Sequence, residues 1–392
     1  MSPQAIVAGH LCLDITPQFL NDRLPAPGLV THVGPATICT GGAVSNTGLA
    51  MLKLGIDTRL YGRVGVDNMA QSVAAVLERN APGSSRSIIA AAAEATSYTI
   101  ILSPVGVDRS FLHFAGANDT FSSADVPDDA LASASLLHLG YPPFLPLMYA
   151  DHGRDLAALF RRAKQAGLTT SLDLCMLDPN RPDSRVDWRG LLESAFPFVD
   201  IFVPSVDELL LMHDPAAYHA LARRGDVALQ VSERQLNTLA EWALAAGAKV
   251  VMLKASTRGI YLRTAGAAVI ASMGRAGPSD SAAWGSRALW AAPFVLDCMG
   301  TTTGAGDAAV AGFLAGLLRG CGPEQALTVA CATGGCACET TEAASGVRTW
   351  DETLQRITGG WPRLWNEAPA ARWVGGEQTG VWRGPQDSVA PA

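Results

Sequence analysis

The chain has 392 residues, 48% of them hydrophobic and only 17% charged, which excludes a disordered polypeptide and allows a large buried core. A net charge of −7, with Arg161-Arg162 and Arg223-Arg224 as isolated basic pairs, excludes nucleic acid as the main partner. No basic stretch followed by a long apolar one opens the chain, and the longest apolar run, near residues 308–318, is too short for a bilayer. A cytoplasmic protein with no membrane contact is therefore expected.

In chain order, β-type runs at 5–8, 58–61, 136–139, 168–174, 201–203 and 250–253 alternate with helical stretches at 43–53, 68–79, 155–166, 233–246 and 308–318. Several helices close on a glycine (Gly55, Gly167, Gly247) ahead of an apolar strand. That pattern predicts an α/β fold, a doubly wound and mainly parallel sheet flanked by helices. Two pieces break the alternation. Residues 14–38 are rich in Pro and Gly, and 97–102 is predicted to pair with 110–114 across 104–109. These segments, about 14–38 and 97–118, read as a small β lid on a domain spanning 1–358.

Residues 273–292, rich in Gly, Ser and Ala, read as a surface excursion. Residues 359–392 form a C-terminal extension of unknown role that holds four of the nine tryptophans (Trp361, Trp365, Trp373, Trp382). Some of these indoles are expected to pack on the domain itself or on a neighbouring subunit, so a homodimer is a possible partner state. Eight cysteines (Cys12, Cys39, Cys175, Cys298, Cys321, Cys331, Cys336, Cys338) lie scattered, and Cys336-Ala337-Cys338 has no second pair to complete a zinc site. Buried free thiols are expected.

Chemistry concentrates at two glycine-rich junctions. Gly304-Ala305-Gly306-Asp307 opens the last apolar helix. Glycines let backbone approach a ligand, and the first N–H groups of a helix favour an anion. Asp307 is a poor phosphate holder but a suitable acceptor for the proton of a hydroxyl that attacks phosphate. The same residue also makes an ordinary N-cap. Gly41-Gly42-Ala43-Val44-Ser45-Asn46 opens an earlier helix, and Asn46 can both donate to and accept from hydroxyls. Asp14 is read as the end of a first strand that runs on through Gly9-His10-Leu11-Cys12-Leu13. There it can hold two sugar hydroxyls or stand as a solvated loop carboxylate.

Together these pieces resemble the ribokinase-like (PfkB) family of carbohydrate and nucleoside kinases, over about residues 4–358. The amino-terminal signature is similar to 41–55 with Gly62-Arg63-Val64-Gly65-Val66-Asp67 behind it, and the carboxyl-terminal one to Thr302-Thr303-Gly304-Ala305-Gly306-Asp307 with 311–318 behind it. The resemblance implies that Asp307 is the general base, with the N–H groups of Ala305, Gly306 and Asp307 as anion hole. It implies that Asp14, Gly41, Gly42 and Asn46 grip the sugar under the lid. It also implies that Lys254-Ala255-Ser256-Thr257-Arg258-Gly259 lies over the ATP phosphates, with Lys254, Ser256 and Gly259 as contacts. Gly334, Gly335 and Gly346 would leave room for adenine, though packing against a neighbouring helix explains them as well.

The chain departs from the family pattern at several points. Thr301 stands where relatives carry an Asp linked to a monovalent cation, with Asp297 further upstream, so cation activation is doubtful. The Asn-x-x-Glu motif that organises magnesium through water falls on Ser205-Val206-Asp207-Glu208, which keeps Glu208 and replaces Asn by Ser205. Cys12 replaces an Asn of ribokinases, and Gly140-Tyr141 follows a strand where they carry an acid, so ribose is not the expected substrate. Arg109 is expected near the pocket mouth, facing an acidic or phosphorylated sugar or simply solvated in its turn.

The expectation is an ATP- and Mg2+-dependent kinase acting on a sugar or sugar-like hydroxyl. A nucleoside kinase with Tyr98 or Phe114 as platform is one alternative. A sugar-binding relative with impaired catalysis is the other.

Overall fold

The computed structural model describes residues 4–107, 109–178, 182–340 and 345–389. Position 108 of the expected lid and 390–392 of the extension lie outside these described residues. A nine-stranded sheet runs through the molecule in the order Val381–Arg383, Ala288–Ala291, Ile260–Thr264, Val250–Lys254, Ile201–Phe202, Thr169–Leu172, Leu136–Gly140, Ala5–Gly9 and Thr58–Tyr61. The six strands from Val250–Lys254 to Thr58–Tyr61 pair in parallel, and the remaining three join antiparallel. Apolar side chains from both faces are buried under helices, so parallel strands such as Ala5–Gly9 and Val250–Lys254 read as unbroken apolar runs. The expected doubly wound α/β fold is present.

A second sheet of four strands runs Ala36–Gly41, Cys12–Pro17, Tyr98–Leu102, Ser110–Phe114. The hairpin expected across 104–109 pairs Tyr98 with Phe114 and Leu102 with Ser110. The chain does not run straight from Gly9 to Asp14, as the sequence suggested. Gly9 has φ 126°, where a Cβ would lie 2.3 Å from the Gly140 carbonyl oxygen, and the chain turns there. Asp14 therefore belongs to the small sheet, opposite Cys39 and beside Thr99, and not to the tip of the central one.

Residues 273–292 are a surface excursion only in their first half, where 274–283 is mostly exposed or half-buried. Met273 and Trp284 are buried, and Ala288–Ala291 is a fully buried strand inside the central sheet. Its brevity and its two alanines concealed it, because alanine carries little β-propensity and the strand depends on its neighbours for packing. Those neighbours include the C-terminal extension. Val381–Arg383 adds the ninth strand, with Trp382 opposite Trp290. Trp382 is completely buried and meets Trp365 at 4.9 Å, while Trp290, Trp373 and Tyr261 meet edge-on nearby. The indoles thus pack on their own chain. Arg287 ties down the end of the extension through Asp387 at 3.0 Å, both groups buried.

If this edge strand is docked in solution, Trp382→Ala leaves a large void and costs roughly 3–5 kcal/mol of stability. Urea unfolding of the two proteins measures it, and a loss below about 1 kcal/mol would show that the strand does not seal the sheet.

Candidate active site

The helix Ala305–Leu318 begins behind Gly304, which sits at φ 77°, a left-handed conformation that glycine adopts freely. Asp307 lies in the first turn and is only 2% exposed. Three donors from two other elements converge on it. Asn46 Nδ2 donates to Oδ2 at 2.9 Å and Thr47 Oγ1 to Oδ1 at 3.3 Å, both from the helix Ala43–Lys53. Tyr141 O–H donates to Oδ2 at 2.7 Å from the end of the strand Leu136–Gly140. Burial first, then the Asp307 charge, pushes the Tyr141 hydroxyl well above its ordinary pKa, so it stays a donor.

Tyr141 adopts φ 65°, a conformation a tyrosine rarely takes, and such strain concentrates at functional sites. Asn46 was expected to grip substrate. Here its amide nitrogen serves Asp307, while its buried Oδ1 has no partner among the described residues.

On the same side, a Cβ at Gly41 would lie 2.2 Å from Asp14 Oδ2, and one at Gly42 would lie 2.4 Å from the His10 carbonyl oxygen. The glycine pair thus lets Asp14 and His10 press against the helix start. Asp14 is 8% exposed and accepts from Cys12 Sγ at 3.2 Å. Burial pushes its pKa up to about 6, against hydrogen bonds from Cys12 and Thr99 that pull it back.

Rings surround this region. Phe144 meets His10 at 4.9 Å and His113 at 5.0 Å, and His10 stacks on Tyr141 at 6.1 Å. Tyr98 and Phe114, the aromatic candidates from the sequence, pair with each other at 5.6 Å across the lid hairpin. His10, His113 and Phe144 carry no motif that would have singled them out.

A cavity of about 730 Å³ lies on the other side of Gly306. It is lined by Ser205, Lys254, Ser256, Gly259, Ala305, Gly306 and Gly335, as the sequence implied, together with Asp207, Met299 and Leu364. Gly346 is not among its lining residues. A Cβ there would lie 2.2 Å from the Cys336 carbonyl oxygen, so that glycine serves helix packing. Gly335 lies against the Trp361 ring, which a Cβ would approach to 3.3 Å.

Lys254 Nζ bonds both oxygens of Asp173, at 2.9 and 2.7 Å, and lies close against Gly306. Burial opposes the Lys254 charge, but Asp173 and Glu208 outweigh it and hold its pKa above the ordinary value. Asp173 passed unnoticed in the sequence. Burial raises it to about 6, with Lys254 opposing.

Glu208 Oε2 accepts the Ser205 N–H at 2.9 Å, and the two residues form a capping box on the helix Val206–His213. Ser205 therefore keeps a structural role where the family motif has Asn. Among the described residues no cluster of three His, Cys, Asp or Glu could hold a metal ion alone.

Arg109 is not simply solvated in its turn. Its guanidinium crosses from the lid turn to the loop before Gly304, donating to Thr301 Oγ1 at 3.0 Å, to Thr302 Oγ1 at 3.2 Å and to Thr303 Oγ1. Asp297 is held elsewhere, by Arg356 at 2.8 Å, and does not replace the acid missing at Thr301.

Burial lifts Glu208 from 4.5 to about 8, opposed by Lys254 and reinforced by Asp173 and Asp207. A carboxyl held protonated in the fold contributes stability at low pH that is lost as pH rises through its raised pKa. Thermal unfolding should therefore show stability falling between about 6 and about 8, above the range of Asp173. Glu208→Gln, which can still cap Ser205, should remove at least about 1 kcal/mol of that fall. A parallel pH dependence in both proteins would mean that Glu208 is ionised throughout.

The fold agrees with what the chain is similar to. The description pfkB family carbohydrate kinase matches residues 4–350. An uncharacterized sugar kinase of Archaeoglobus fulgidus is 25% identical over 274 residues, 69% of this chain and 87% of that protein. A nucleoside kinase of Methanothermobacter thermautotrophicus is 28% identical over 141 residues, 36% of this chain and 45% of that protein. The structure of Arabidopsis thaliana ribokinase complexed with ribose and ATP superposes with a TM-score of 0.67 at 18% identity, covering 91% of this chain and 98% of the ribokinase. No helix among the described residues is long and apolar enough to cross a membrane. With the family match spanning nearly the whole chain, this protein belongs to the pfkB family of carbohydrate kinases.

Proposed function

We propose that the chain transfers the γ-phosphoryl group of ATP to a hydroxyl of a sugar or sugar-like small molecule, with Asp307 as general base. One observation carries this reading. Asp307 is buried at a helix N-terminus, with the cavity holding Lys254 and Gly306 on one side and Asp14 and Asn46 on the other. Asn46 and Tyr141 occupy Oδ2, which leaves Oδ1, with only the long Thr47 contact, as the freer acceptor. The attacking hydroxyl gives its proton to that oxygen as its own oxygen bonds phosphorus, and ADP leaves in line. The N–H groups of Gly306 and Asp307 supply the anion hole, joined by that of Ala305 once it leaves the Thr302 carbonyl that it reaches at 3.3 Å, and Lys254 adds positive charge beside it.

On the acceptor side, Asp14 and the unpartnered Asn46 Oδ1 accept hydrogen bonds from substrate hydroxyls. Magnesium that arrives with the nucleotide keeps several waters and needs only one or two protein carboxylates. The cavity-lining Asp207 would meet that requirement, and Glu208, held protonated behind it, would join through water only once an arriving cation displaced its proton. The ion would neutralise charge on the phosphates.

A second reading, a nucleoside kinase, is favoured by the rings of His10, His113 and Phe144, which offer a flat base a stacking surface. Thermal-shift screening of sugars against nucleosides separates the two readings.

Asp307→Asn keeps the shape of the site and removes the proton acceptor. Turnover should fall by about 10²–10⁴ while sugar and nucleotide affinities change little. Turnover within a few-fold of wild type would reject Asp307 as the base.

Arg109 places a fixed positive charge on Thr301–Thr303, where a cation-linked acid is expected from the family pattern. Turnover in sodium, potassium or a bulky organic cation should then be equal at fixed ionic strength. Arg109→Ala should lower kcat roughly tenfold or more with little change in nucleotide affinity. Strong potassium stimulation of the wild-type enzyme would show that oxygen ligands near Thr301 bind a cation and that Arg109 does not take its place.

A further inference from the structure

The stretch shared with the family ends at residue 350, yet the chain beyond it returns to the nucleotide cavity. Residues 361–365 lie antiparallel along 292–296, bridged at Phe294 and Arg363. Val295 N–H donates to Pro362 O at 2.9 Å and Leu364 N–H to Pro293 O at 2.8 Å. Trp361 Nε1 donates to Val295 O at 2.6 Å, and its ring stacks on Phe294 at 4.3 Å and 18°. Guanidinium groups flank that pair, Arg356 lying 3.5 Å from the Trp361 ring centre and Arg363 3.9 Å from that of Phe294. Trp365 Nε1 reaches the Thr257 carbonyl at 3.2 Å, on the turn that carries Ser256.

The extension therefore braces both the wall of the cavity and the turn expected to lie over the phosphates. It also supplies a lining side chain, Leu364. Leu364, Val295 and Met299 are 47%, 38% and 68% exposed, so apolar surface stands open to solvent on a concave site. Such a patch gains by covering with a flat apolar ring. Leu364 and Val295 carry no hydrogen-bonding atom for a base edge, and the Met299 thioether is only a weak acceptor.

We propose that residues 361–365 form the outer wall of the base slot, and that Leu364 makes this slot prefer a purine by the area it covers and not by edge contacts. The inference rests on the nucleotide reading of the cavity above.

Calorimetric titration of non-hydrolysable ATP, GTP and CTP analogues into the full chain and its variants tests it. Leu364→Ala should weaken both purine analogues roughly five- to twenty-fold, weaken the CTP analogue less, and leave sugar affinity and Tm near wild type. Trp365→Phe keeps a ring against Trp382 but loses the bond to Thr257. It should weaken all three analogues alike by a few-fold. Unchanged binding in both variants would overturn the proposal and leave the segment a structural brace, as would a uniform loss of nucleotide and sugar affinity that follows a lowered Tm. If the wild-type chain binds none of the analogues, the nucleotide reading itself fails and the proposal falls with it.

Discussion

The meeting of Asp307 with Asn46, Thr47 and Tyr141 is the contact on which the rest of the site depends. A carboxyl group almost removed from water needs hydrogen-bond partners, and here one other helix and a strand end supply the donors. Those donors also bind together distant parts of the chain. Asn46 and Thr47 sit behind the Gly41-Gly42 turn, Asp307 behind Gly304, and Tyr141 on a strained backbone at the tip of a central strand. Each glycine junction makes sense only because another element comes close to it.

A second constraint is electrostatic. Lys254 keeps its charge out of water because Asp173 clasps it and Glu208 lies nearby. Glu208 pays with a pKa driven up to about 8. A buried cation beside the helix start that carries Gly306 makes that surface favour an anion. Arg109 extends the same positive surface, reaching from the hairpin turn to the loop ahead of Gly304. On our reading, phosphate is held by backbone and fixed cations, and Asp307 is left to handle the proton.

The open edge of the central sheet is covered by the chain's own extension. An exposed edge strand offers unpaired backbone to other chains, and Val381–Arg383 removes that hazard by pairing with Ala288–Ala291. The same extension then braces 292–296 along the cavity beside Gly306, so sheet stability and cavity shape are linked through Trp361, Phe294 and Leu364.

Sequence alone determined the alternation of strands and helices, because apolar periodicity and helix-closing glycines are local properties that survive in the fold with little shift. The helices predicted at 43–53 and 233–246 are those observed. It also marked the two glycine junctions and the lysine loop, since glycine where backbone turns or another element presses close is visible locally. Asp173, Tyr141, His10, His113 and Phe144 left no such mark: their placement depends on which strands lie side by side. Arg109 could be read as a lid residue, but its three threonine partners follow a fold-level crossing that no local pattern encodes. The buried strand at Ala288–Ala291 escaped for the same reason, and so did the return of the extension to the sheet edge. Small residues and a polar tail become core only when distant partners supply the packing, and that was decided by the tertiary structure.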